Sequence, residues 1–224
     1  MFGFQPIPLE TDPSGVDPPP PPPPTCSLID IASYGGDGTS HDVAYPVAMS
    51  AGDILALSIA FVEEAPSGLA GWTFLRSVTL DGSGANGTLE TYYKIAAGTE
   101  GATFNLTTSV ATKLAAVVTS LTCSPSNSAS VDYDDSDTAI PSAPSPSIGS
   151  DVFQMLCVAW IDGRTAPTFP SGYDGLYEFV GSGHGISDLN LTVGWSDYAR
   201  PTEAPGNIDI EDANPWATIV EVFG

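Results

Sequence analysis

Two histidines, His41 and His184, are the whole supply of imidazole in this chain of 224 residues. A Ser/His/Asp triad needs a histidine base, so it would have to run through one of them. His184 lies in Gly181-Ser182-Gly183-His184-Gly185, a turn composition with no nucleophile motif around it, and reads as a loop histidine. Gly181-x-Gly183 is no dinucleotide fingerprint, because no third glycine in a strand–turn–helix context follows. The cluster Asp132-Tyr133-Asp134-Asp135-Ser136-Asp137 gathers the carboxylates that calcium prefers. It lacks the glycine and glutamate of an EF-hand loop, so it reads as a solvated acidic loop, with calcium at Asp132, Asp134, Asp135 and Asp137 as the alternative. Glycoside hydrolysis needs two acids flanking a groove, and 27 Asp+Glu supply so many pairs that spacing selects none. No residue is therefore assigned a catalytic role, and no cofactor is expected.

Aromatic side chains could stack on sugars. Trp72, Trp160, Trp195 and Trp216 all fall in strand-like positions, where core packing is the default. Tyr173, Tyr177 and Tyr198 are the better candidates for a glycan-binding surface. The three cysteines, Cys26, Cys123 and Cys157, are an odd number without metal-ligand spacing. Cys157 sits in the apolar run from Phe153 to Trp160, where it acts as a small hydrophobe. A reduced, intracellular site of synthesis without disulfides is the expectation. Met1 is followed by neither a basic nor an apolar stretch, so no secretory signal is expected.

The elements that must position these residues are strands. Leu89, Tyr93 and Ile95 alternate with Glu90 and Lys94; Phe104 and Leu106 alternate with polar neighbours; so do Leu189, Leu191, Val193 and Trp195, and Ile208 and Ile210. Period two is the mark of half-buried antiparallel strands. The runs 54–62, 114–121, 152–161 and 216–223 are apolar on both faces, as central sandwich strands tend to be. The expected fold is all-β, an antiparallel β-sandwich of jelly-roll or immunoglobulin-like type.

The body also repeats itself. Gly52-Asp53, an apolar strand, Pro66, Gly71-Trp72, an alternating strand ending at Tyr92-Tyr93, Thr99-Glu100, Phe104-x-Leu106 and an apolar strand to Leu121 form one series. Ser150-Asp151, an apolar strand, Pro170, Gly172-Tyr173, an alternating strand ending at Trp195, Thr202-Glu203, Ile208-x-Ile210 and an apolar strand to Phe223 form the other. The expectation is a duplicated strand set, halves 26–123 and 147–224, packed on one shared core. Ser124 to Ser150, rich in Ser, Asp and Pro, reads as a long surface loop between them, with a linker between two domains as the alternative.

Ahead of the body stands a different segment. Seven prolines, Pro18 to Pro24, can only form an extended polyproline II rod, about 22 Å long at ~3.1 Å per residue. Before them, Phe2, Phe4, Ile7 and Leu9 are spaced by Pro6, Pro8 and Pro13, which forbids an amphipathic helix. Residues 1–25 are thus read as an anchoring arm and residues 26–224 as the body. The four apolar residues would fill pockets on a partner while the stiff rod limits the entropic cost. Burying the two phenylalanines contributes roughly 3–6 kcal/mol before binding costs. Five Lys+Arg against 27 Asp+Glu give a formal charge of −22, which repels nucleic acid and anionic lipid. The longest apolar run, 54–62, is too short to span a bilayer.

Four segments together carry a resemblance: Gly52-Asp53-Ile54-Leu55-Ala56-Leu57, Gly71-Trp72-Thr73-Phe74-Leu75, Tyr92-Tyr93-Lys94-Ile95-Ala96 and Ala102-Thr103-Phe104-Asn105-Leu106. The chain resembles a β-sandwich domain of tailed-bacteriophage structural proteins over residues 45–122, and more loosely to 224. The second half departs from the pattern, with Tyr173 in place of the tryptophan and no Tyr-Tyr-Lys. The resemblance implies a non-enzymatic virion protein, made in a bacterial host cytoplasm and held to a capsid or tail lattice by residues 1–24. It brings no catalytic residues. Head decoration or a spike is preferred over tail attachment, because no coiled-coil or triple-helical stalk is present. A homo-oligomer, such as a trimer, fits a symmetric shell. The alternative is a tail- or fibre-associated glycan-binding module for host adhesion.

Overall fold

The structure, a computed structural model, describes residues 26–80, 87–123, 128–134, 153–161, 169, 173–181, 189–196 and 216–223. No helix occurs among them. Ten strands form two antiparallel sheets of five. The first half supplies β1 (Leu28–Ala44), β2 (Ile54–Val62), β3 (Thr73–Leu80), β4 (Gly87–Ile95) and β5 (Thr103–Leu121). The second supplies β6 (Ser128–Asp134), β7 (Phe153–Ile161), β8 (Asp174–Gly181), β9 (Leu189–Ser196) and β10 (Trp216–Phe223).

The sheet orders are β1-β5-β2-β4-β3 and β6-β10-β7-β9-β8. Adding five to each number of the first gives the second, so the repeat read in the sequence is a repeat of topology. The sheets stack in opposite sense: β1 lies over β8, β3 over β6, β5 over β9 and β4 over β10. Exchanging the halves maps these neighbours onto one another, so the packing follows an approximate two-fold axis. Jelly rolls and immunoglobulin domains deal strands of one half into both sheets. Here each half keeps its strands in one sheet, because each half closes its own five-stranded ladder.

Ser58 of β2 and Cys157 of β7 meet across the sheets, Oγ to Sγ 2.9 Å. Taken as equivalent positions, their ladder partners correspond as well. Ser58 pairs with Thr91 and Val117, Cys157 with Val193 and Ile219. The offset is 157 − 58 = 99 along β2/β7, 193 − 91 = 102 along β4/β9 and 219 − 117 = 102 along β5/β10. Alternate residues then face one shared core: Ile54, Ala56 and Ala60 with Phe153, Met155 and Ala159, and Leu89, Ala115 and Leu121 with Leu191, Ala217 and Phe223.

The apolar character of β2, β7 and β10 on both faces has a physical cause, since the outer faces are covered too. In the first half the cover is the chain itself. The 102–107 and 114–121 segments, which alternation separates, are one strand. Gly38 pairs with Thr112 and Ser40 with Thr107, so five steps on β5 oppose two on β1. This bulge turns the β1–β5 ribbon back across its own sheet, burying Val43 and Leu106 against Leu55, Leu57 and Ile59. Its end returns to the start of β2: Tyr45 reaches Lys94, the ladder partner of Leu55, whereas Leu114 pairs with Phe61 at the far end. Ser67 bridges to Thr107, and Gly68 (φ 104°) lets the backbones touch; a Cβ there would lie 2.3 Å from the Asn105 carbonyl oxygen.

Two sequence expectations need correction. Cys26 and Cys123 form a disulfide, Cα–Cα 4.5 Å, because β1 and β5 are antiparallel neighbours and bring the ends of the first half together. The 124–150 segment is not all loop: residues 128–134 form β6, paired along β10 from Val222 to Trp216. The polar residues of β6 hid it, since an edge strand needs no alternating apolar face.

Candidate functional site

The four segments 52–57, 71–75, 92–96 and 102–106 converge in space. Trp72 stands just before β3, Lys94 near the end of β4, Phe104 at the start of β5, and Tyr45 just after β1. Lys94 Nζ donates to the Tyr45 hydroxyl (2.8 Å) and lies 3.5 Å from Glu100 Oε1. It also lies 4.4 Å from the Tyr45 ring centroid and 5.1 Å from that of Trp72. Tyr45 stacks with Trp72 at 6.4 Å and 11°, and Phe104 closes the group at 4.9 and 5.4 Å. Desolvation works to raise the Glu100 pKa, but N–H donors from Ala97 and Gly98 and the Lys94 charge outweigh it and hold the carboxyl below its ordinary value. Gly52-Asp53 belongs to the same end: Asp53 accepts from Ser50 N–H at 2.6 Å, and Ala96 bonds both residues through its backbone.

Chemically this group is a fastener. A cation caged by aromatic rings and a carboxylate pins the ribbon end to the sheet. Beside it, along the outer face of edge strand β3, Phe74 is 53% exposed, with its ring edge on Tyr92 at 5.4 Å. Tyr92 donates to Glu90 Oε2 at 2.5 Å, and burial together with that bond raises its pKa. An exposed ring beside a carboxylate and a phenol is the kind of surface on which a sugar can stack.

Two further groups hold reactive residue types. His41 is fully buried on the folded-back ribbon; Nδ1 is 3.1 Å from the Tyr34 hydroxyl and Nε2 has no partner. Burial lowers its pKa, against opposing effects of the Gly38 backbone and Asp37. At the sheet interface, Glu221 accepts from Thr91 (2.6 Å) and lies 3.6 Å from Arg76 Nε. Burial raises the Glu221 pKa, with Thr91 and Arg76 opposing. Cys157 is wholly enclosed, and burial pushes its thiol up to about 12, with the Ser58 bond opposing. A thiol held protonated is no nucleophile.

The sequence candidates are dispersed. Tyr173 is half-buried against Phe169 (6.3 Å) and donates to Gln154 Oε1 at 3.2 Å. Tyr177 lies on β8, paired with Val193. Asp132 and Asp134 lie on β6, opposite Thr218 and Trp216. Phe2, Phe4, Ile7, Leu9, Asp135, Asp137, His184 and Tyr198 lie outside the described residues. No group of three His, Cys, Asp or Glu placed to hold a metal occurs among the described residues. Sequence reasoning missed the meeting of Tyr45 with Lys94; the quoted motif held Trp72, Lys94 and Phe104 but gave no reason for them to touch. Comparison with protein families, curated proteins and solved structures finds no match to this chain.

Proposed function

We propose that this chain is a non-enzymatic bacteriophage virion protein, displayed on the particle surface as a capsid decoration or spike and anchored by its N-terminal arm. The observation that carries the reading is the contrast between body and arm. Among the described residues of the body, His41 and Ser58 are buried, and Cys157 is held as a thiol. In the sequence, the apolar beads Phe2, Phe4, Ile7 and Leu9 stand ahead of a stiff rod that ends two residues before Cys26. A chemically closed body on a rigid spacer suits display. Partners under this reading are the capsid or tail lattice and other copies of the chain. Synthesis is in the host cytoplasm, and the Cys26 and Cys123 thiols are oxidised to their disulfide once the particle reaches an oxidising medium.

The test is deletion of residues 1–24. Incorporation into particles is expected to be lost while the body keeps its strand content by circular dichroism; normal incorporation overturns the reading. The second reading, a glycan-binding module for host adhesion, is favoured by one observation, the exposed Phe74 ring beside Tyr92 and Glu90. It requires glycan-array binding that Phe74→Ala removes.

A further inference from the structure

The two sheets share a strand order, and an approximate two-fold axis exchanges them. Two copies of either sheet, from two chains, could therefore stack on each other in the same way. The facing rows differ in a manner that opposes this. The central row of the first sheet runs Ser33, Val117, Ser58, Thr91 and Arg76 across β1, β5, β2, β4 and β3. Every place but that of Val117 is polar. The same row of the second sheet runs Val131, Ile219, Cys157, Val193 and Tyr177 across β6, β10, β7, β9 and β8, and no place carries a charge. Ser58 meets Cys157, so the axis passes between these two.

The polar end of the first row is answered by one residue of the second sheet. Glu221 on β10 is 3% exposed. It accepts from Thr91 at 2.6 Å and lies 3.6 Å from Arg76 Nε, a buried atom with no hydrogen-bond partner. In the first sheet its place is held by Thr119: 221 − 119 = 102, the offset along β5/β10, and Thr119 pairs with Ala56 as Glu221 pairs with Met155. First sheet on first sheet would set Arg76 and Thr91 against Thr119, a cation without a carboxylate. Second on second would set Glu221 against the places of Val193 and Tyr177, a carboxylate without a cation. An uncompensated buried charge is strongly destabilising. We propose that Glu221, Thr91 and Arg76 form a selector that seats the first sheet on the second and denies each sheet its own copy from another chain. The inference needs only the body and is independent of the arm.

A disulfide placed on the axis tests it. The full chain carrying Ser58→Cys is unfolded with reductant, refolded at high concentration in oxidised glutathione, and its disulfides are mapped by mass spectrometry. Unlike sheets link position 58 to 157. Like sheets of two chains link 58 to 58 and 157 to 157. Cys26–Cys123 lies within the first half and forms in either arrangement. With the selector intact the 58–157 link is expected almost alone. With Arg76→Leu and Glu221→Leu the like links are expected to rise at least ~tenfold, a discrimination of about 1.4 kcal/mol. Should that variant fail to fold, Glu221→Gln keeps an acceptor for Thr91, removes the charge and should raise the like links by a smaller factor. The 58–157 link alone in every variant would show that the tether between the halves selects the partner, and the selector is then overturned. Like links equally abundant with the selector intact overturn it too.

Discussion

The two halves share a strand order and differ in what covers them. In the first half the outer layer is the chain's own β1–β5 ribbon, fastened by Tyr45, Trp72, Phe104 and Lys94. In the second half the positions corresponding to Tyr92 and Lys94 are Gly194 and Ser196, and the Phe169 ring lies over Gly194, with Tyr173 beside it. One frame thus tolerates two outer layers. The conserved feature is the inward set around Ser58 and Cys157, where the sheets must fit each other. The outward set has only to be covered, and different side chains can cover it.

The strongest way to break this comparison is to remove one large residue from each outer layer. Phe61 and Trp160 occupy corresponding places and are 5% and 1% exposed. Phe61→Ala and Trp160→Ala are each expected to cost about 3–5 kcal/mol in urea unfolding. Because the halves share one core, each variant should still unfold in a single transition. Two separated transitions would mean that the sheets stand alone and that the shared core means little. A smaller effect sharpens the contrast at Gly194. A Cβ there would lie 2.5 Å from the Phe169 ring, so Gly194→Ala should cost about 1–3 kcal/mol. In a Phe169→Ala background the same change should cost much less; equal cost in both backgrounds would show that Phe169 does not cover the site.

The smallest effect is a pH dependence of the first outer layer. Burial lowers the His41 pKa from 6.5, so the folded chain binds a proton there less readily than the unfolded chain does. Its contribution is full above 6.5 and is lost as pH falls below 6.5 through the folded value. The nearby Asp37 opposes this loss. Melting temperature followed downward from pH 7 should decline first in the native chain, and His41→Gln should remove the decline just below pH 6.5. A native curve flat to the carboxylate range would refute it.

Much of the frame was legible in the residues. Alternation identified β4 and β9, and uninterrupted apolar runs identified β2, β7 and β10, because burial on both faces leaves a dense signal. The repeat was legible because equivalent strands keep equivalent punctuation, such as Pro66 and Pro170. β1 was not, since Tyr34-Gly35-Gly36-Asp37-Gly38 has the composition of a turn. It holds as a strand because the Tyr34 side chain lies against Gly36, where an added Cβ would meet the ring, and supplies the packing that the glycine lacks. The disulfide escaped notice because Cys26 and Cys123 are neighbours only after β1 and β5 pair. The fastener escaped it because Tyr45 reaches Lys94 only after the ribbon turns at its bulge.

Among the described strands, the stretch after Cys123 that leads to β6 is the single passage of the chain from one sheet to the other. No ladder is threaded by strands from both halves, so no ladder records which half is made first. A circularly permuted gene, opened at that passage and joined through a spacer from Gly224 to the start of the body, would encode every strand pair unchanged. The architecture is indifferent to reading order, and new termini at the passage would emerge beside the original ends of the body, since Cys123 is bonded to Cys26 and Ser128 pairs with Val222.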